Sequence, residues 1–239
     1  MKLPTLILAR LERRYKRFLA DVTLASGETI TVHCPNPGSM MGLAKAGNAV
    51  WISDSGNPKR KLRHTLELVC VDNTLVAINT NNPNKLAEEA IRQGKIAELQ
   101  PFMTLRREVP YGTNSRIDLL LTSENDRLTY VEVKNCHLMR TPGLAEFPDS
   151  VTARGAKHLK ELMTIVDAGH RAVMLFIIQY NGIDRFATAP DLDPTYHETL
   201  KHAAAMGVEV LAYRCDIGFD QITVDVRVPW TDEELIKAL

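Results

Sequence analysis

Apolar and polar positions alternate with period two through most of the first eighty residues, the pattern of half-buried strands. Candidate strands cover 7–12, 16–24, 29–34, 49–53, 64–71 and 75–80. Ser26-Gly27-Glu28 and Asp72-Asn73 supply hairpin turns, Pro35-Asn36-Pro37-Gly38-Ser39 forms a rigid loop, and Gly47-Asn48 leads into Val50-Trp51-Ile52. Five or six short strands within eighty residues suit a small closed barrel of the OB type.

The pattern changes at Asn81-Asn82-Pro83, where a proline suited to a first helical turn opens a run of period 3.6. A helix is expected from 83 to about 99, with Leu86, Ala87, Ala90, Ile91, Gly94 and Ala97 as its apolar face. Further on come a strand over 103–109, a hairpin, a loop over 137–149 and a helix over 151–168 with Asp149 or Ser150 as N-cap. A strand over 172–179, a helix over 195–206 and strands over 208–213 and 222–228 complete the chain. Helices interleaved with strands predict a layered α/β domain. The expected organisation is thus an OB-like barrel over 1–82 followed by an α/β domain over 83–239.

The hairpin carries the candidate chemistry. RIDLLL and RLTYVEVKN flank the polar turn 123–127, and a hairpin centred on Asn125 opposes residues whose numbers sum to 250. Asp118 then faces Glu132, and directly opposed positions place their Cβ atoms about 4.5–5.5 Å apart. Two carboxylates so close repel, and a divalent cation with its preference for oxygen ligands removes the repulsion. Alternation sends Val131 and Val133 to one face and Glu132 and Lys134 to the other. Asp118, Glu132 and Lys134 together form a constellation for metal-assisted hydrolysis. The competing reading is a wet strand face whose Glu–Lys pair is merely solvated, and a one-residue slip would turn Asp118 away.

Charge distribution adds a partner. Net charge is zero, yet residues 1–82 carry 11 Lys/Arg against 6 Asp/Glu and the remainder 18 against 23, giving +5 and −5. Two basic clusters lie in the first part: Arg10, Arg13, Arg14, Lys16 and Arg17, then Lys59, Arg60, Lys61 and Arg63. Tyr15 and Phe18 interleave the first, although Phe18 also reads as core. Cations beside aromatic faces are how grooves hold nucleic-acid backbones and stack bases. The apolar run AVMLFII at 172–178 is too short for a membrane span, and LPTLILA, broken by Pro4 and followed by arginines, lacks secretory-signal character. Four scattered cysteines without a C-x-x-C spacing read as reduced thiols. The expectation is a cytoplasmic protein that meets nucleic acid and no membrane, with a homo-oligomer left open.

RRYKRFLADV (13–22), HCPNPGSM (33–40), SRIDLLL (115–121), VEVKN (131–135), FPDSVTARGAKHLKEL (147–162) and EVLAYRC (209–215) closely resemble the bacterial sugar fermentation stimulation protein A family, over roughly residues 10–228. The resemblance implies an OB-type domain joined to a PD-(D/E)xK nuclease-like domain, DNA binding, and a link to the regulation of sugar use, notably maltose. It places the nuclease aspartate on Asp118, the E-x-K on Glu132 and Lys134, and the preceding helix acid on Glu89. Ile117 stands where some members of the superfamily have proline.

On this reading Asp118 and Glu132 hold Mg²⁺ or Mn²⁺ with the Val133 carbonyl as a third ligand, Glu89 completes the shell, and Lys134 orients water. Arg154, Lys157 and His158 are polar groups able to contact phosphate. The alternatives are a DNA-binding regulator without chemistry and an RNA-binding or RNA-processing factor. A helix-turn-helix around 201–220 would serve the regulator, but Val208 to Tyr213 reads as strand.

Overall fold

The structure is a computed structural model and describes residues 1–112 and 115–232. The N-terminal strands are β1 (Leu6–Tyr15), β2 (Leu19–Leu24), β3 (Thr29–His33), β4 (Ala49–Asp54), β5 (His64–Val71) and β6 (Thr74–Ala77). Their order is β3-β2-β1-β4-β5-β6, and a parallel contact between His33 and Thr65 joins β3 to β5 and closes the barrel. That circuit, 1-2-3-5-4-1, is the OB topology, with β6 appended to β5. Inward residues such as Leu11, Val22, Val32, Val50, Ile52 and Leu66 are buried, as the alternation requires.

The second sheet has the order β15-β14-β12-β9-β8-β7. Its strands are β7 (Thr104–Tyr111), β8 (Ser115–Thr122), β9 (Leu128–Cys136), β12 (Arg171–Ile178), β14 (Glu209–Ile217) and β15 (Ile222–Arg227). The middle strands β9, β12 and β14 run parallel, and antiparallel strands flank them on both sides. Helix α1 (Pro83–Arg92) packs Leu86, Ala87, Ala90 and Ile91 on the face bearing Val131, Val133, Val173 and Leu175. Helices α2 (Ala153–Asp167) and α3 (Pro194–Ala205) cover the other face, whose core continues into the barrel. This is the nuclease-like α/β domain beside the OB barrel.

Several expectations shift. The first helix ends at Arg92 because Gly94, at φ 72, takes the left-handed conformation that terminates it, and a 3₁₀ turn at Ala97–Leu99 follows. Residues 16–18 form a turn with Lys16 and Arg17 at positive φ, so β2 starts at Leu19 and Phe18 is 45% exposed instead of buried. The supposed loop 137–149 contains β10 (Leu138–Thr141) and β11 (Leu144–Phe147), which form a small sheet with β13 (Arg185–Thr188). Helix α2 is capped by Thr152, whose hydroxyl accepts from the Gly155 N–H, because Asp149 is engaged across the barrel loop instead. The strand reading of 208–213 holds: α3 is followed by β14, and no recognition helix lies there. Met1 and Leu3 bond to Ile222 and Asp220, so the first residues lie along the second sheet, outside the barrel.

Candidate nuclease site

The hairpin register is the one the sequence predicts: Leu119 pairs with Val131 and Leu120 with Tyr130, each pair summing to 250. The regular ladder stops there. Beyond it Asp118 replaces a ladder partner with its side chain, and Oδ2 accepts the Val133 N–H at 2.7 Å. Oδ1 accepts from the Asn84 amide at 2.7 Å. One carboxylate therefore ties the two strands to the first turn of α1.

Glu132 is 3% exposed. Its Oε1 accepts from the Lys134 ammonium at 2.6 Å and from the His158 Nδ1–H. Arg154 Nε donates to His158 Nε2 at 3.3 Å, which leaves Nδ1 to carry the ring proton toward Glu132. The other oxygen, Glu132 Oε2, is buried without a protein partner. A buried carboxylate oxygen left bare is costly in a folded chain.

The two carboxyls differ electrostatically. Burial, with Glu132 beside it, pushes Asp118 up to about 6 against the opposing pull of Val133 N–H, Lys134 and Asn84. Burial works to raise Glu132 too, but His158 and Lys134 outweigh it and hold Glu132 below its usual value. Glu132 is thus the settled anion and Asp118 the group whose charge is expensive. Burial and the three carboxylates Glu132, Glu161 and Asp118 raise the Tyr111 phenol, which lies against the same site with its hydroxyl unpartnered.

Asp118, Glu132 and His158 line a cleft of about 610 Å³ whose lining also carries Arg116, Arg154 and Lys157. The Arg116 guanidinium donates to the Glu108 carbonyl at 2.6 Å, and Lys157 sits 3.5 Å from Glu161. Glu161 in turn accepts from Ser115 Oγ at 2.8 Å. No group of three His, Cys, Asp or Glu side chains is poised around a metal among the described residues. The donor set is two carboxylates, which suits a cation that keeps several waters and takes the rest of its shell from phosphate.

The structure therefore brings Asp118, Glu132, Arg154, Lys157 and His158 to one cleft, and Lys134 joins them through its bond to Glu132 Oε1. It does not bring Glu89. Asn84 marks the side of α1 that meets β8, and Glu89 lies about 140° around the helix from it. Glu89 Oε1 accepts from the Met1 amino group at 2.7 Å, and Glu88 pairs with Arg92 and Arg107. Val133 enters through its N–H. Arg116 and Asn84 were not foreseen, although Arg116 shares the even parity of Asp118 on β8, so the alternation already placed it on that face.

The basic clusters divide. Arg14 donates to the carbonyls of Asn36, Gly38 and Arg17 at 2.7, 2.8 and 3.0 Å, so it braces the loop after β3. Arg13 pairs with Asp21 and lies over the Tyr15 ring, Arg10 pairs with Glu12, and Arg63 grips Asp54. Lys16, Arg17, Lys59, Arg60 and Lys61 are exposed.

A family model described as the sugar fermentation stimulation protein RE domain matches residues 81–221, and one described as the SfsA N-terminal OB domain matches residues 13–78. Sugar fermentation stimulation protein homologs from Brucella ovis and Brucella melitensis are each 56% identical over 238 residues, covering 99% of this chain and 100% of theirs. The structure of Pyrococcus furiosus SfsA in complex with Ca²⁺ superposes with a TM-score of 0.86 at 24% identity, covering 96% of this chain and 97% of that one.

Proposed function

The chain belongs to the sugar fermentation stimulation protein family, and from that premise we propose that it is a nucleic-acid-binding protein whose Asp118–Glu132–Lys134 cleft hydrolyses phosphodiesters with a divalent cation. The observation that carries the reading is Glu132, buried, clamped on Oε1 by Lys134 and His158 and bare on Oε2, facing a second carboxylate whose charge is strained. Both features are relieved by one cation, and Mg²⁺ or Mn²⁺ fits two carboxylates with the Val133 carbonyl as a further ligand. The Pyrococcus furiosus protein, solved in complex with Ca²⁺, accords with a divalent site.

When bound, such a cation polarises a phosphate oxygen and acidifies water. The protein's own groups do the rest. Lys134 orients the attacking water and stabilises charge building on the phosphoryl group. Arg116 and Arg154 hold non-bridging phosphate oxygens at the rim. His158 keeps Glu132 in place and so acts as a positioning residue. The exposed lysines and arginines of the barrel supply affinity that does not depend on sequence, and DNA is the expected polymer.

The test is cleavage of single- and double-stranded DNA and RNA with Mg²⁺ or Mn²⁺, paired with binding isotherms at one salt concentration. Asp118→Asn is expected to abolish cleavage and, without metal, to keep or raise affinity, since one negative charge near phosphate is gone. Lys134→Ala is expected to stop cleavage and weaken binding slightly. Opposite signs distinguish chemistry from misfolding, which weakens both. If the wild type binds tightly but cuts nothing with any divalent ion, the hydrolytic reading fails and the non-catalytic regulator replaces it. Cleavage confined to RNA would move the polymer assignment.

A further inference from the structure

The turn between β1 and β2 presents an aromatic ring, Phe18, to solvent. Lys16 and Arg17 adopt positive φ, the Phe18 N–H donates to the Lys16 carbonyl at 2.7 Å, and the Phe18 carbonyl accepts from Cys34 N–H at 2.8 Å. Phe18 lies beside His33 with ring centroids 6.3 Å apart and planes 22° from parallel. Burial and the neighbouring Arg60 lower the His33 pKa, so the ring is neutral at pH 7. Lys16 and Arg17, both exposed, precede Phe18 in the turn, and exposed Arg60 acts on His33, so the pair lies between the two basic clusters. An exposed ring amid cations answers to a flat, apolar partner on an anionic chain.

Duplex DNA offers no free base face, whereas an unpaired strand offers one at every nucleotide. We propose that Phe18 and His33 form a stacking platform for an unpaired nucleobase, so that the substrate of the cleft carries a single-stranded segment. This deepens the nuclease reading and rests on it for what the cleft does to the strand; the binding itself does not.

Position supports a shared strand. Arg14 ties the Arg17 carbonyl to those of Asn36 and Gly38. Ser39 Oγ donates to the Asp149 carbonyl at 2.8 Å, and Asp149 Oδ2 accepts the Met40 N–H at 3.1 Å. A Cβ at Gly38 would meet Asp149 Oδ2 at 2.6 Å, so a larger residue at this crossing would have to displace that carboxylate. Five residues beyond Asp149, Arg154 lines the cleft. Hydrogen bonds and chain thus link the platform to the loop before α2, whose first turn carries Arg154 at the cleft, and a strand that spans both places would follow that line.

The experiment measures affinities of the full-length protein in EDTA, where nothing is cut, for a mixed-sequence single strand and for the duplex of the same length. Phe18→Ala is expected to weaken single-strand binding about tenfold and to leave duplex binding within twofold. Phe18→Trp is expected to restore the single-strand affinity, and a 2-aminopurine in the strand should lose fluorescence on the wild type and far less on Phe18→Ala. Equal losses for both polymers, or none for either, overturn the platform. A change of oligomeric mass in Phe18→Ala, with binding intact, overturns it in favour of a contact between copies. Because no cleavage is read, failure of the hydrolytic reading leaves these outcomes unaffected.

Discussion

At the scale of single residues, Asp118 is where the site stores its cost. Its carboxyl is raised from 3.8 to about 6, so the folded state holds that proton more tightly than the unfolded chain. Ionising it therefore costs stability that is fully felt above about pH 6 and is absent below 3.8, with a ceiling of about 3 kcal/mol at the usual 1.36 per unit. Without metal, Asp118→Asn is expected to melt higher than wild type at pH 8, with the gap closing by pH 4. The Asn oxygen can still accept from the Val133 N–H, and the Asn84 amide can turn to present its own oxygen, so no partner need be lost. Saturating Mn²⁺ should reverse the order at pH 8 by stabilising only the wild type. Identical melting curves at pH 8 without metal would show that the carboxylate is comfortable there. With the cation below saturation, activity should also fall as pH drops through about 6, because protonated Asp118 binds it poorly, and a saturating cation should move that fall to lower pH.

Helix α1 shows how an element's phase decides what chemistry reaches a site. It buries Leu86, Ala87, Ala90 and Ile91, and that packing points Asn84 at Asp118 while turning Glu89 toward Met1. Glu89→Gln is therefore expected to cleave within about twofold of wild type, whereas Asn84→Ala, by removing a hydrogen bond that favours the Asp118 anion, should shift the acid limb of the pH–rate profile upward. A hundredfold loss in Glu89→Gln would return that residue to the site. The sequence pattern alone located β8 and β9, their register and the shared face of Asp118, Glu132 and Lys134, because the polar turn 123–127 centres the hairpin and so fixes which residues oppose. It could not phase α1, since Glu88 and Glu89 flank the apolar stripe alike. It also missed β10, β11 and β13, because strands of four residues each, joined by backbone ladders, are too short to show an alternation. The role of Arg14 was hidden for a similar reason: a charge run reads as a solvated face until the carbonyls it serves are visible. Arg14→Ala should lower the urea midpoint by the equivalent of roughly 2–4 kcal/mol, as charged hydrogen bonds to three carbonyls are lost. An unchanged midpoint would free Arg14 for phosphate after all.

For the molecule as a whole, the question is whether the barrel and the cleft act on one polymer. The charge excess of +5 over residues 1–82 faces a deficit of −5 over the remainder, so the barrel is the part expected to draw in a polyanion, with the cleft adding only a few local cations. Arg10, Arg13 and Arg63 spend their charge on Glu12, Asp21 and Asp54. Arg17, Lys59 and Lys61 are exposed and are the better candidates for phosphate. Replacing those three with Ala should weaken binding and flatten the salt dependence, by about 0.9 in the slope of log K against log salt for each duplex phosphate released and about 0.7 for a single strand. The comparison that matters sets this triple variant beside Arg116→Ala at the cleft rim. A barrel that collects and a cleft that cuts predict a large slope change for the barrel variant with little loss of turnover at saturating substrate. For Arg116→Ala they predict a small slope change and a large fall in turnover. Equal effects of the two variants on slope and turnover would mean that a single continuous surface does both jobs, and an unchanged slope in the triple variant would move the polyanion off the barrel altogether.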